Sequence, residues 1–319
     1  MKVHILDDWF DTLRHLPSFR KLHDHDVTIW TDKAKSEDVL VSRLADAEAV
    51  VLFRDRTAIT ATLLARLPKL KLISQRSSYG HIDIEACARS GVTVCSNMSE
   101  GRASIAAAEL TFTLLLAAAR RLPDQLESLQ AGTWQAGVGQ SLAGRKLGLY
   151  GYGKIAKQVA KYARAFDMEV WWWASEEGRA RARSDGETVA PSREAFFAQS
   201  DAISLHVRAT PTTRGIISGG DLSTMKPGAI FINTSRAALL AKGAIEMACD
   251  ATGPGRICLD VFDREPMSAP VDAILSHPKI IATPHIGFVT EDELDFQFND
   301  IYDQIVAFAQ GAPIHVVTS

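Results

Sequence analysis

Long apolar runs, paired cysteines and an excess of either charge are all missing from this 319-residue sequence. The most apolar segment, "LTFTLLLAAA" from Leu110, ends in Arg120 and Arg121 and is too short to span a bilayer. The four cysteines, Cys87, Cys95, Cys249 and Cys258, contain no C-x-x-C pair and lie in apolar surroundings. They predict reduced core thiols in a cytoplasmic compartment rather than a disulfide framework or a metal site. A formal net charge of -3 creates no field that would gather nucleic acid or anionic lipid, so neither is expected as a partner. The N-terminus "MKVHILDDWF" enters a strand-like run without a basic n-region, and no export signal is expected. No internal repeat or low-complexity stretch is visible.

What is there is alternation: a short apolar run, then a helical pattern, many times over. Strand-like runs stand at 2–6, 27–30, 49–53, 71–75 and 92–96, and a second series at 146–151, 169–173, 202–207, 229–233, 256–261 and 279–283. Such alternation predicts an α/β protein with largely parallel sheets, and two series predict two doubly wound, Rossmann-like domains. Between them, "SIAAAELTFTLLLAAAR" at 104–120 is apolar almost all round. A helix of that kind must be covered on every side, by its own domain, the other domain or a second subunit, and a homodimer is expected partly on this ground. The last segment places Leu294, Phe298, Ile301, Ile305 and Phe308 at helical spacing, which predicts a helix returning to the first domain and making it discontinuous.

In an open parallel sheet, ligands bind beyond the carboxyl ends of the strands. There "KLGLYG" runs into "GYGKIAKQVAKYARAF", so Gly151, Gly153 and Ala156 form a G-x-G-x-x-A pattern between a strand and a helix. Gly151 would make the tight turn, Gly153 would admit a pyrophosphate, and the helix N-terminus would supply N–H donors. Other strand ends carry Thr234, Ser235 and Arg236, then Asp260 and Glu265, then His285 in "IIATPHIGF". An arginine, a carboxylate and a histidine beside a dinucleotide turn make a consistent hydride-transfer site. His285 can give a proton to a developing alkoxide, Glu265 can orient its ring, and Arg236 can bind a carboxylate bidentately while polarising the neighbouring carbonyl. On this reading Pro284 holds the chain so that His285 points into the crevice.

These motifs resemble the D-isomer-specific 2-hydroxyacid dehydrogenases. "AELTFTLLLAAARR", "GRKLGLYGYGKIA", "MKPGAIFINTSRAALL", "CLDVFDREP" and "TPHIG" occur in the family's order across essentially the whole chain. The resemblance implies a flavodoxin-like substrate domain at 1–103 and 288–319, a dinucleotide-binding domain at 104–287, a homodimer, and a 2-keto or 2-hydroxy acid as substrate. It implies Arg236, Glu265 and His285 as the catalytic set, with Asp260 holding the nicotinamide carboxamide. Cofactor contacts are carried onto Gly151, Tyr152, Gly153, Lys154, Ile155, Ala174, Ser175, His206, Thr234, Ser235 and Gly287. Arg54 matches an arginine that often faces substrate. The substrate loop departs from the family: it is usually glycine-rich and offers backbone N–H groups to the substrate carboxylate, whereas "QRSSYGHID" at 75–83 puts Ser77, Ser78 and Tyr79 there and adds hydroxyls. Arg56 and Arg76 lie nearby in sequence; surface charge is the favoured reading of each, with contact to substrate left open.

An acidic residue usually ends the second strand of an NAD-binding fold, where it repels a 2′-phosphate. Here that place falls on Ala174. Ser175 and Arg179 could meet a phosphate, but Glu176 and Glu177 follow at once, so NAD is favoured over NADP, which is not excluded. The alternative of another class is a nucleotide-sensing, corepressor-like binding protein that retains these residues without turnover.

Overall fold

The computed structural model describes residues 1–97, 105–267 and 271–317. The chain separates into two compact units, Met1–Gly101 with Val289–Ser319, and Arg102–Phe288. The expected boundary at 103/104 and the first residue of the expected helix 104–120 lie outside the described residues.

In the first unit the apolar runs form β1 (Lys2–Ile5), β2 (Asp26–Ile29), β3 (Ala49–Val51), β4 (Leu72–Arg76) and β5 (Thr93–Asn97). All pair in parallel, in the order β2-β1-β3-β4-β5. Parallel strands are covered on both faces, so they read as unbroken apolar runs such as Ala49-Val50-Val51, each fully buried. The direction of winding reverses between β1 and β3, and the chain leaves these two strands through Asp7-Asp8-Trp9 and Phe53-Arg54-Asp55-Arg56. The helix Glu291–Ala309 buries Leu294, Phe298, Ile301, Tyr302 and Ile305 against this sheet. It is tied to β4 by Ser74 Oγ donating to Gln304 Oε1 at 2.8 Å and Gln304 Nε2 donating to the Gln75 carbonyl at 3.2 Å. An antiparallel bridge between Cys95 and Val316 covers the outer edge of β5, a pairing that no sequence pattern announced.

The second unit holds β6 (Lys146–Tyr150), β7 (Glu169–Trp173), β8 (Ala202–Leu205), β9 (Ile230–Asn233), β10 (Arg256–Leu259) and β11 (Ile280–Ala282). Again every pair is parallel, in the order β11-β10-β9-β8-β6-β7, and a single bridge from Val189 to Trp172 extends the β7 edge. The switch in winding lies between β6 and β8, where the G-x-G turn leaves the sheet. The apolar helix Ile105–Ala119 is covered largely within its own unit: Ala108, Phe112, Leu115 and Ala119 pack with Ala156, Val159 and Ala160 of the helix Lys154–Ala165 and with Leu147 and Leu149 of β6. The exposed apolar residues come next, as Leu122, Leu126 and Leu129 on the helix Leu122–Gln130, then Trp134 and Val138, which are 78% and 90% exposed. No helix among the described residues is long and apolar enough to cross a membrane.

Candidate active site

The turn after β6 has the form a pyrophosphate needs. Gly151 sits at φ 116°, and a Cβ there would lie 2.2 Å from the His206 carbonyl oxygen, so only glycine fits. Gly153 is the N-cap of the helix Lys154–Ala165; no side chain caps that end, and the space a Cβ would enter is open. An uncapped helix N-terminus facing open space suits an anion, and Ala156, fully buried, keeps the helix against the sheet. A nicotinamide dinucleotide therefore fits these residues. The Tyr152 side chain is committed to the protein: its hydroxyl donates to Asp185 at 2.5 Å and its ring packs edge-on against Trp172.

At the end of β7, Ala174 is nearly buried and Ser175 caps the helix Glu176–Ser184, its Oγ accepting from the Gly178 N–H at 3.3 Å. Arg179 folds inward: it lies over the Trp173 ring at 4.3 Å, donates to the Ala174 carbonyl at 3.0 Å and pairs with Glu176. After β8, His206 Nε2 lies 3.0 Å from Ser204 Oγ, and burial pushes its pKa down to about 4, so the ring is neutral at physiological pH. Two cofactor candidates after β9 spend their hydroxyls on the protein, Thr234 on Thr111 at 2.8 Å and Ser235 on the Leu205 carbonyl at 2.7 Å.

Arg236, Glu265 and His285 come together in this unit. The His285 Nδ1 lies 2.5 Å from Glu265 Oε2. An ionised carboxylate has no proton to give, so Nδ1 is the donor and Nε2 is the nitrogen left for proton transfer. Glu265 Oε1 accepts from the Phe262 N–H at 2.7 Å. Burial pushes the Glu265 pKa up, but hydrogen bonds from His285 and the Phe262 amide, with the charges of His285 and Arg236, outweigh it and leave it below its ordinary value. Arg236 is exposed and donates to the Ser235 carbonyl at 2.7 Å. His285 stands at φ 54°, the left-handed region that side chains avoid.

Asp260 holds that turn by hydrogen bonds, and Pro284 within it is exposed. The fully buried Asp260 carboxylate accepts from Thr283 Oγ1 at 2.7 Å, from the Ile286 N–H at 2.9 Å and from the Gly287 N–H at 2.9 Å. Three of its roughly four lone-pair sites are thus taken by the turn. Gly287, carried over as a cofactor contact, is buried with its N–H spent on this carboxylate.

The substrate candidates Arg54, Ser77, Ser78 and Tyr79 belong to the first unit. Arg54 at φ 59° and Ser77 at φ 81° are both left-handed. Arg56 is no loose surface charge: its guanidinium lies 3.8 Å from the Trp9 ring centre and 4.1 Å from that of Phe53, and it donates to the Asp7 carbonyl at 2.6 Å. Burial lowers its pKa to about 10. Arg76 donates from Nε to Asp300 at 3.1 Å. Gln75, which no motif singled out, is fully buried beneath the serine loop. Among the described residues no group of three or more His, Cys, Asp or Glu is placed to hold a metal, and all four cysteines are free and buried.

Comparison with known proteins places these features. The sequence pattern of the D-isomer specific 2-hydroxyacid dehydrogenase NAD binding domain matches residues 112–287. A glyoxylate reductase of Thermococcus litoralis is 32% identical over 300 residues, 90% of this chain and 88% of that protein. A D-3-phosphoglycerate dehydrogenase of Methanocaldococcus jannaschii is 33% identical over 291 residues, 90% of this chain but only 54% of that longer protein. Among solved structures, a phosphoglycerate oxidoreductase from Vibrio cholerae O395 superposes with a TM-score of 0.91 at 41% identity, covering 98% of this chain and 100% of that one.

Proposed function

The chain belongs to the D-isomer-specific 2-hydroxyacid dehydrogenase family, and from that premise we propose that it reduces a small 2-keto acid to the D-2-hydroxy acid with NADH. The observation that carries the reading is the His285 to Glu265 contact of 2.5 Å within reach of the Arg236 charge. The bound dinucleotide supplies the two-electron reducing equivalent. Arg236 binds the substrate carboxylate and draws electron density from the adjacent carbonyl, and the His285 Nε2 proton passes to the carbonyl oxygen as it becomes a hydroxyl. In the oxidative direction the same nitrogen takes that proton back. Glu265 keeps the ring in one orientation and balances its positive charge while both ring nitrogens carry a proton. Asp260 keeps the turn in place, and its remaining lone pair is the one that could receive the carboxamide.

NAD is supported over NADP at the end of β7. Arg179, stacked on Trp173 there, already faces Glu176 and the Ala174 carbonyl, so a 2′-phosphate would meet carboxylates at Glu176 and Glu177. A homodimer is supported by the exposed run from Leu122 to Val138 more than by the helix before it, since this apolar surface has no cover in its own unit. The test of the whole reading is the oxidation of NADH and NADPH over glyoxylate, hydroxypyruvate and 3-phosphohydroxypyruvate. Tight NADH binding without turnover of any 2-keto acid would overturn it in favour of a nucleotide-sensing protein.

A further inference from the structure

Three neighbouring strands of the first sheet leave it on one edge through a left-handed residue that carries a side chain: Asp7 at φ 60° after β1, Arg54 at φ 59° after β3 and Ser77 at φ 81° after β4. Such conformations persist only where the surroundings over-determine them, and they gather at functional sites. For Arg54 the surroundings are a clasp.

Arg54 lies in the turn from Phe53 to Arg56, and the side chains at the two ends of that turn grip each other. The Arg56 guanidinium lies 4.1 Å from the Phe53 ring centre, and the fully buried Phe53 packs on Phe298 at 5.0 Å. A second ring, Trp9 in the loop after β1, lies 3.8 Å from the same guanidinium. Arg56 Nη1 donates to the Asp7 carbonyl at 2.6 Å, and Thr57 Oγ1 donates to Asp7 Oδ2 at 2.5 Å. The loop after β3 is thereby fastened to the loop after β1 immediately beyond Arg54. The Trp9 indole N–H is buried without an acceptor, so no hydrogen bond of its own sets the ring there. What the ring meets is a cation that stays charged at neutral pH, its pKa lowered only to about 10.

We propose that Arg56 and Trp9 are positioning residues for the substrate: their stack closes the turn 53–56, so that Arg54 at its left-handed position is presented to the acid as a fixed cation. The inference rests on the reading of this protein as a 2-keto acid reductase. Without the stack the turn would still carry Arg54, but in more than one backbone conformation, since a residue with a side chain returns readily from positive φ to the commoner regions. A cation that must be ordered at each encounter costs affinity rather than chemistry.

The test is a double-mutant cycle. Arg56→Met, Trp9→Ala, Trp9→Phe and Arg54→Met are measured for kcat and KM with glyoxylate and for oxalate affinity by calorimetry, and Arg56→Met is repeated in the Arg54→Met background. Arg56→Met and Trp9→Ala are each expected to raise KM and weaken oxalate about tenfold, the scale of one charge-assisted hydrogen bond, with kcat changed less than about threefold. Trp9→Phe keeps a ring against the guanidinium and should recover most of the loss. Once Arg54 is gone, Arg56→Met should add less than about twofold, because the two act as a unit. Full additivity would overturn the proposal, since Arg56 would then act without Arg54. So would a Trp9→Phe variant as weak as Trp9→Ala, affinities within about twofold of wild type in both Arg56→Met and Trp9→Ala, or a fall in kcat at unchanged KM. If Arg56→Met does not fold, Trp9→Ala takes its place in the cycle. A wild-type enzyme that reduces no 2-keto acid would instead sink the functional reading, while oxalate affinities through the same cycle still report on the clasp.

Discussion

In the turn 283–287 a buried carboxylate, Asp260, collects backbone N–H groups; in the loop 75–80 a buried amide, Gln75, collects backbone carbonyls. Each clamp stands at the end of a parallel strand in its own unit, and each holds a residue with a side chain in the left-handed region, His285 at φ 54° and Ser77 at φ 81°. The difference is the sign of the buried group. A peptide unit held by its N–H shows its carbonyl outward, and one held by its carbonyl shows its N–H outward. Asp260 thus fits a turn whose working group is a side chain, the His285 ring, while Gln75 fits a loop whose working groups are the backbone N–H donors themselves.

The largest test of the first half of this comparison removes the group that the turn exists to carry. His285→Ala is expected to lower kcat by about 10²- to 10⁴-fold, the usual contribution of a general acid–base, with cofactor affinity preserved. A loss smaller than tenfold would leave the Asp260 clamp without a catalytic purpose. Next in size is Asp260→Asn, which keeps the shape but sets an NH₂ group against one of the N–H donors it held. It should cost about 10- to 100-fold in kcat through misplacement of His285, together with a lower melting temperature. Unchanged kcat would mean that His285 needs no clamp and that the likeness to Gln75 is only formal.

How much of this could be read from the chain follows from the range of each interaction. All eleven strands were legible because a parallel strand buried on both faces is a continuous apolar run, and the G-x-G turn was legible because Gly151 and Gly153 answer a local steric demand. The one-bridge pairing at Val189 and the antiparallel bridge at Val316 carry no such run and were missed. The His285, Glu265 and Arg236 set emerged because each residue type has chemistry of its own. The clamps were less legible, since an aspartate or a glutamine next to a strand end says nothing about which backbone groups it will meet. Asp260 was assigned only an outward role, Gln75 none. The burial of Arg56 was not legible for the same reason: its partners Trp9 and Asp7 are far away in sequence, and stacking on rings leaves no spacing signature.

A third contact of this type tests whether burial matters to the comparison. Arg179 also gathers a strand-end carbonyl, that of Ala174, but its partner Glu176 is 76% exposed. Exposed ion pairs are worth less than about 1 kcal/mol, so Glu176→Gln should raise the preference for NADPH relative to NADH by less than about tenfold, read both as kcat/KM and as calorimetric affinity. A larger gain would show that Arg179, once released, forms a full phosphate pocket and that exposed contacts here act as strongly as buried ones.

The smallest expected effect separates the two carboxylates that serve one turn. Asp260 is held above its ordinary value of 3.8, because burial outweighs the bonds from Thr283, Ile286 and Gly287, so its ionisation costs stability as pH rises through that region. Glu265 runs the other way. Although burial raises it, the bonds and charges from His285, Phe262 and Arg236 leave it below its ordinary value of 4.5, so it contributes stability above pH 4.5 that is lost as pH falls through its lower folded value. Glu265→Gln should therefore melt below wild type near pH 7, by about 1–2 °C given its partial exposure and the size of the unit. That gap should close as pH falls through the lowered folded value of Glu265, below which both proteins carry an uncharged side chain at position 265. Scanning calorimetry from pH 3 to 7 reads it directly. A gap that stays constant through the acid range would mean that Glu265 holds His285 by shape and not by charge, making it a neutral counterpart of Gln75 rather than the charged member of the pair.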